Sequence, residues 1–320
     1  MSRPERVLVT GAAGFIGSIL AQRLLDEGRE VVALDSLDSF YSVAEKRRNL
    51  ASLESAKRFE FVEADVRDAR ALGRLLSGPR PDGVVHLAAL AGVRPSLERP
   101  AEYADVNVVG TARLLEACVR AGVDRFVFAS SSSVYGERAD GEPFRETDSV
   151  GHPISPYAAT KRAGELLAHS FHHTHGLSVV CARIFTAYGP RQRPDLAVRA
   201  FAERILRGEP IPVFGDGKSV RDFTYVEDLV DGLVRALDSG LAFEVLNLAG
   251  GCTVTVLEVL ELLERALGRS ARIEWLPRQT GDVSRTWADI GAAHRLLGYA
   301  PRTSLEQGIA RFVEWLEASA

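Results

Sequence analysis

The chain has 320 residues, of which 46% are apolar, and a formal net charge of -4. That length accommodates one large or two linked α/β domains with a sizeable core, and the charge gives no reason to expect nucleic acid or an anionic membrane as partner. No apolar run is long enough to span a bilayer, no signal-peptide core follows the N-terminus, and Cys118, Cys181 and Cys252 lack metal-like or redox spacing, so a soluble cytoplasmic protein with reduced cysteines and no metal site is expected.

Residues 6–10 have a buried-strand pattern and run into Gly11-Ala12-Ala13-Gly14-Phe15-Ile16-Gly17, then a helical pattern ending at Gly28 and a second strand ending on Asp35. Gly11 allows a tight turn, and Gly14 lets backbone approach a pyrophosphate at the positive end of the helix. Asp35 can accept hydrogen bonds from an adenosine ribose diol and would repel a 2′-phosphate, so NAD is favoured over NADP. Residues 59–68 read as a third strand followed by Asp65 and Val66; Asp65 is either an adenine contact or a cap for the next helix. A fourth strand (82–89) ends on Ala88 and Ala89, small enough for a cofactor to pass, and Arg94 and Ser96 follow in a loop on that side.

Residues 102–119 predict one long amphipathic helix, and 124–131 a fifth strand that delivers Ser130 to Ser133. The alternation of strands and helices implies a doubly wound parallel sheet that binds ligands beyond its strand C-termini. Tyr157 and Lys161 are four apart, on one face of a predicted helix. A free phenol titrates near ~10, and an adjacent ammonium lowers that value, making a base near neutral pH. His169, His172, His173 and His175 read as a solvated helix end rather than a metal site.

A further strand pattern covers 177–189 and ends on Thr186; residues 190–195 break it, and a helix follows over 197–207. Phe214 precedes a glycine turn and Arg221 a helix start; a flat aromatic and an arginine suit a nucleobase and a diphosphate. Residues 243–249 read as a strand returning to the main sheet, and the remainder, to a final helix at 304–317, as a smaller lobe. The expected fold is a Rossmann-type α/β unit (1–188 plus about 222–250) with an interleaved substrate lobe (189–221 and 251–320).

The glycine motif at 11–17, the run Ala129 to Gly136, Tyr157 to Lys161, and Arg221-Asp222-Phe223-Thr224-Tyr225-Val226-Glu227-Asp228-Leu229 together resemble the extended short-chain dehydrogenase/reductase family, in its NAD-dependent nucleotide-sugar epimerases and dehydratases. The resemblance covers essentially the whole chain. It implies tightly bound NAD contacted by Gly11, Gly14, Phe15, Ile16, Gly17, Asp35, Ser36, Asp65, Val66, Leu87, Ala88, Ala89, Tyr157 and Lys161. It makes Tyr157 the base, Lys161 its pKa-lowering partner on the nicotinamide ribose, and Ser131 the hydroxyl that shares the substrate proton. It assigns a UDP-sugar to Arg94, Ser131, Ser132, Ser133, Tyr157, Thr186, Arg193, Phe214, Arg221 and Asp282, and a homodimer to the helices at 102–119 and 157–171.

Within that family, dehydratases carry Asp and Glu after the serine, and uronate decarboxylases a Glu at the second position. Ser132 and Ser133 stand there instead, which leaves 4-epimerisation. The stretches at 86–94, 152–155, 185–190, 193–195 and 279–283 are similar to UDP-glucuronate 4-epimerases. Oxidation of glucuronate at C4 makes a β-keto acid prone to lose CO₂, so the carboxylate must be held out of alignment with the ketone; Ser132, Ser133 and Thr186 are neutral donors for that task. A UDP-glucose or UDP-N-acetylhexosamine epimerase, a decarboxylase that works without the Glu, and a non-catalytic NAD-binding sensor remain the alternatives.

Overall fold

The computed structural model describes residues 3–138, 140–277 and 283–319. A seven-stranded sheet is built from β1 (Arg6–Thr10), β2 (Glu30–Asp35), β3 (Phe59–Glu63), β4 (Gly83–His86), β5 (Arg125–Ser131), β6 (Ser178–Ile184) and a late strand, β10 (Phe243–Leu248). All neighbours are parallel, in the order β10-β6-β5-β4-β1-β2-β3. The order reverses between β1 and β4, the position at which a doubly wound sheet opens a crevice beyond its strand ends. The return of residues 243–249 to the main sheet, expected from their pattern, is present as β10 beside β6.

Strand periodicity divides the core. Val7 and Val9 of β1 face one side with α1 (Phe15–Asp26) and α9 (Val226–Asp238); Leu8 faces the other, with α3 (Ala69–Ser77), α6 (Gly110–Ala121) and α7 (Pro156–His175). Because both faces are covered, these strands read as unbroken apolar runs. The helix α2 (Val43–Ala51) lies beyond β2 and buries little: only Lys46 and Leu50 are buried on it. The stretch 102–119, predicted as one helix, falls across α5 (Pro100–Ala104), a π-helical turn (Asp105–Val109) and α6. At that turn Asn107 accepts from Leu90 N at 2.8 Å and donates to Leu90 O and Thr160 Oγ1, both at 3.0 Å. Side-chain bonds of this kind, not helix propensity, accompany the widened turn.

A second departure lies after β6. The single strand expected over 177–189 is two. Phe185 N still donates to Leu248 O at 3.1 Å, but β7 (Thr186–Tyr188) leaves the main sheet and pairs with β9 (Val220–Tyr225), which pairs in turn with β11 (Thr253–Thr255). The expected boundary between 221 and 222 therefore falls inside β9, and Arg221 is a strand residue. A two-stranded sheet of β8 (Pro210–Phe214) and β12 (Arg272–Leu276) adjoins it. With α8 (Ala197–Arg207), α10 (Val256–Leu267) and α12 (Leu305–Ala318) these strands enclose a separate core around Tyr188, Ile211, Leu260 and Phe312. Two short helices, α4 (Val93–Glu98) and α11 (Gly291–Leu297), complete the elements; Arg94 and Ser96 lie in α4, not in a loop. No helix among the described residues is long and apolar enough to cross a membrane.

Candidate active site

The crevice at the reversal point is a cleft of about 530 Å³. Its floor is the glycine turn. Gly11 has φ +72°, and a Cβ there would lie 2.8 Å from Ala88 N; a Cβ on Gly17 would lie 2.1 Å from Gly11 O. Any side chain at either place would force β1, the turn and α1 apart. Gly14 caps α1 with no side-chain bond to the helix, which leaves a bare backbone cradle at the positive helix end.

Beside the cradle, Asp35 is 7% exposed; its two oxygens accept from Ala13 N at 3.0 Å and Leu37 N at 2.8 Å. Burial pushes its pKa up, against those two donors and the Lys46 ammonium. Leu37 adopts φ +52°, a left-handed conformation that a bulky residue disfavours. It bends the chain sharply after β2 so that Phe40, Tyr41 and Lys46 come back over the cleft. Lys46 is buried and donates to Asp38 O at 2.7 Å. The Tyr41 hydroxyl is buried with no hydrogen-bond partner. These three were missed from the sequence; the adjacent aromatics Phe40 and Tyr41, a few residues after Asp35, were the available signal.

Asp65 does not cap the next helix. Asp68 does, accepting from Arg70 N and Ala71 N. Asp65 is instead gripped by Arg67, through its backbone N at 2.7 Å and its guanidinium at 2.7–3.0 Å, which holds the carboxyl below the usual range. Behind the fourth strand, His86 is buried between Thr10 Oγ1 (2.7 Å) and Thr111 Oγ1 (2.9 Å); burial lowers its pKa to about 3, so the ring is neutral.

On the opposite wall, α7 starts with Ser155 as its cap and Pro156 in its first turn, and ends at Gly176, whose φ is +71°. Tyr157 and Lys161 face the cleft. The Tyr157 backbone N–H donates to Ser96 Oγ at 3.1 Å, which ties α7 to α4. Beyond β5, Ser132–Tyr135 form a 3₁₀ turn. Ser131 pulls the Tyr157 pKa down against the effect of burial, and Ser131 Oγ accepts from Ser133 N at 3.2 Å and from Ser133 Oγ at 3.0 Å. With its acceptor side used, the Ser131 hydroxyl is left to donate to Tyr157.

Lys161 reaches from α7 to β5. Its Nζ donates to Ala129 O at 2.8 Å and lies 5.9 Å from the Tyr157 ring centre. Burial lowers its pKa to about 8. Burial also raises the Tyr157 pKa, and the groups that pull it back are Ser131 and the Arg193 charge. Lys161 is thus held on a backbone carbonyl beside the Tyr157 ring, and the Arg193 charge adds a further pull on the phenol.

A buried ion pair backs the serine run: Glu165, one turn beyond Lys161, accepts from Ser130 Oγ at 2.6 Å and from Arg183 at 2.9 and 3.0 Å. Elsewhere on the cleft wall, Arg193 forms a two-pronged pair with Asp195 (2.9 and 2.8 Å). Arg94 lies over the Phe214 ring at 4.9 Å. Of the sequence-predicted site residues that the structure describes, all but Phe214 line the cleft; Phe214 sits behind Arg94. Asp282 lies outside the described residues. His169 and His172 pack on Phe243 (4.9 and 5.6 Å between ring centres), and no group of metal-ligating residues occurs among the described residues.

Comparison with known proteins places these features in a family. Residues 7–249 match the NAD dependent epimerase/dehydratase family. A UDP-glucuronate 4-epimerase of Thermodesulfobacterium geofontis is 42% identical over 309 residues, covering 96% of this chain and 95% of its own. The crystal structure of UDP-glucuronic acid 4-epimerase from Bacillus cereus, in complex with UDP-glucuronic acid and NAD, superposes with a TM-score of 0.93 at 38% identity, over 98% of this chain and 100% of that one. A UDP-glucose 4-epimerase from Thermotoga maritima, solved with UDP-glucose, gives 0.90 at 36% identity over 98% and 99%. With the family match spanning 7–249 and relatives of this identity along nearly its full length, the chain belongs to the NAD dependent epimerase/dehydratase family.

Proposed function

We propose that this protein is an NAD-dependent UDP-sugar 4-epimerase that interconverts UDP-glucuronate and UDP-galacturonate. The observation that carries the reading is a neutral one: Ser131, Ser132 and Ser133 stand beside Tyr157 where water loss would need a carboxylate pair. The residues present fit a dinucleotide. Gly11 and Gly17 leave no room for a Cβ, so the turn presents bare backbone, and each Asp35 oxygen keeps a lone pair for a ribose hydroxyl. When bound, NAD supplies the hydride acceptor and donor for C4.

The chain's own residues do the rest. Tyr157, whose pKa Ser131 and the Arg193 charge pull down against burial, takes the C4 hydroxyl proton and later returns it. Lys161, anchored on Ala129 O, fixes the depth of the ribose beside it. Ser132 and Thr186 face the cleft and hold the substrate carboxylate away from the plane in which CO₂ loss is assisted. Arg94, Arg193 and Arg221 supply positive charge for the diphosphate. We assign residues 1–188 and about 222–250 to cofactor binding and 189–221 and 251–320 to the nucleotide-sugar, and place the protein in the cytoplasm. Leu97, Val109 and Leu166 are exposed large apolar residues (48%, 40% and 55%) on α4, the π turn and α7, a surface suited to a homodimer.

A second reading, UDP-glucose 4-epimerisation, is favoured by one contact: Ser133 already donates to Ser131, so one fewer hydroxyl is available to a carboxylate. Proton NMR of UDP-glucuronate and UDP-glucose incubated separately with the protein distinguishes them. UDP-galacturonate without pentose is expected. Accumulating UDP-pentose would defeat the carboxylate-holding argument, and turnover of UDP-glucose alone would defeat the uronate assignment.

A further inference from the structure

Behind the cleft, the segment that follows Gly189 reaches across onto α2 and the turn before it. Arg199 of α8, 8% exposed, meets Glu45 of α2 in a two-pronged ion pair, Nη1 to Oε2 at 2.7 Å and Nη2 to Oε1 at 3.0 Å. The same guanidinium donates to Gln192 O at 2.8 Å and Glu203 Oε1 at 2.7 Å. Arg191 Nη2 donates to Ser52 Oγ at 3.2 Å, at the far end of α2. The Arg193 guanidinium lies over the Phe40 ring at 5.2 Å. Three arginines of one segment therefore grip one piece of the cofactor half.

Apart from these grips, α2 is held by Leu50 packing with Ala13 and Leu37, by Asn49 Nδ2 donating to Ala13 O at 3.0 Å and by the exposed Arg47–Glu63 pair; it buries only two side chains, and few buried contacts make an element prone to local opening. It also forms the wall beside Asp35, through Phe40, Tyr41 and Lys46, with Arg193 and Leu196 supplying another stretch of the same cleft. The unpartnered Tyr41 hydroxyl sits within that wall, an orphan buried group that calls for a partner.

We propose that the Glu45–Arg199 pair is a clasp that keeps the adenosine end of the dinucleotide site shut, so that the cofactor is retained through the whole reaction. The proposal rests on the NAD-dependent reading above. A reaction that removes hydrogen from a substrate and restores it to the same molecule fails if the cofactor leaves between the two steps. Glu45 and Arg199 act here as positioning residues: neither lines the cleft.

The test is the exchange rate of bound NAD against isotopically labelled NAD, followed by mass spectrometry, in the wild type, Glu45→Gln, Arg199→Gln and the double variant. Unpairing a mostly buried charge should speed exchange about tenfold or more in each single variant, with the double variant little faster than either single one, because both remove the same contact. A folded Glu45→Gln protein that exchanges NAD at the wild-type rate would overturn the proposal, as would additive acceleration in the double variant. Arg199→Gln also loses the Glu203 and Gln192 bonds, so Glu45→Gln is the decisive variant. If Glu45→Gln fails to fold even in saturating NAD, the pair holds the fold rather than the cofactor, and the clasp is refuted. Wild-type protein that binds no NAD would refute the dinucleotide reading itself; wild-type retention beside unchanged variants refutes the clasp alone.

Discussion

Replacing Ser133 with alanine separates two roles for that side chain. Its hydroxyl donates to Ser131 Oγ at 3.0 Å, and Ser131 in turn opposes the rise that burial gives the Tyr157 pKa. Ser133 is also a candidate to hold the substrate carboxylate. The backbone N–H of Ser133 reaches the same Ser131 oxygen at 3.2 Å and survives the substitution, so Ser131 is not released altogether. Loss of one neutral hydrogen bond of this kind is worth about 0.5–1.5 kcal/mol, or roughly a two- to twelve-fold fall in kcat if it is felt in the transition state. If Ser133 acts through Ser131, the donation to Tyr157 weakens and the phenol becomes a weaker acid. The ascending limb of the kcat against pH profile for UDP-glucuronate then moves to higher pH. If Ser133 acts only on the carboxylate, that limb stays in place and the pentose by-product rises. The assay is kcat against pH with both products quantified by NMR. An unmoved limb, whatever the fall in rate, would refute the relay from Ser133 through Ser131 to Tyr157.

Other expectations follow from the same geometry. Tyr157→Phe should lower turnover by on the order of 10²–10⁴-fold while NAD stays bound, as measured by cofactor content and product NMR; substantial residual activity would remove Tyr157 as the base. Thr186→Ala should raise the ratio of decarboxylation to epimerisation of UDP-glucuronate, and an unchanged ratio counts against its hold on the carboxylate. Lys161 is lowered to about 8 by burial, below its unfolded value near ~10.4. Between those values the unfolded chain holds a proton that the folded protein has lost, so this residue makes stability rise with pH across that window. Denaturant unfolding of the cofactor-free protein from pH 8 to pH 10 should show that rise in the wild type and a flatter profile in Lys161→Met; parallel profiles would refute the assignment.

The local chemistry of this protein was legible in one dimension. Residues 6–35 carry strand, glycine turn, helix, strand and acid in order, and each piece follows from short-range sterics and hydrogen bonding: Gly11 at positive φ, Gly17 against the Gly11 carbonyl, Asp35 at the strand end. The Tyr157 and Lys161 pair is set by helix periodicity alone. Parallel strands covered on both faces announce themselves as apolar runs. For these features the physical cause spans only a few neighbouring residues.

What the chain did not announce depends on partners far away in sequence. The π turn at Asp105–Val109 accompanies Asn107 bonds to Leu90 and Thr160. The strand expected over 177–189 divides after Ile184 because β7 finds β9 rather than the main sheet. Lys161 turns to Ala129 O, and the Arg193 charge reaches the Tyr157 phenol from a distant stretch of the chain. Glu45 and Arg199, separated by 154 positions, meet only once α2 and α8 are packed. A charge has no periodicity to betray its partner, and burial, which moves the pKa values of Tyr157, Lys161 and Asp35, exists only after the chain has closed around them. The sequence by itself determined the kind of site; the tertiary structure decided which neighbours set its protonation and what holds the cofactor wall in place, because electrostatics and desolvation act through space rather than along the chain.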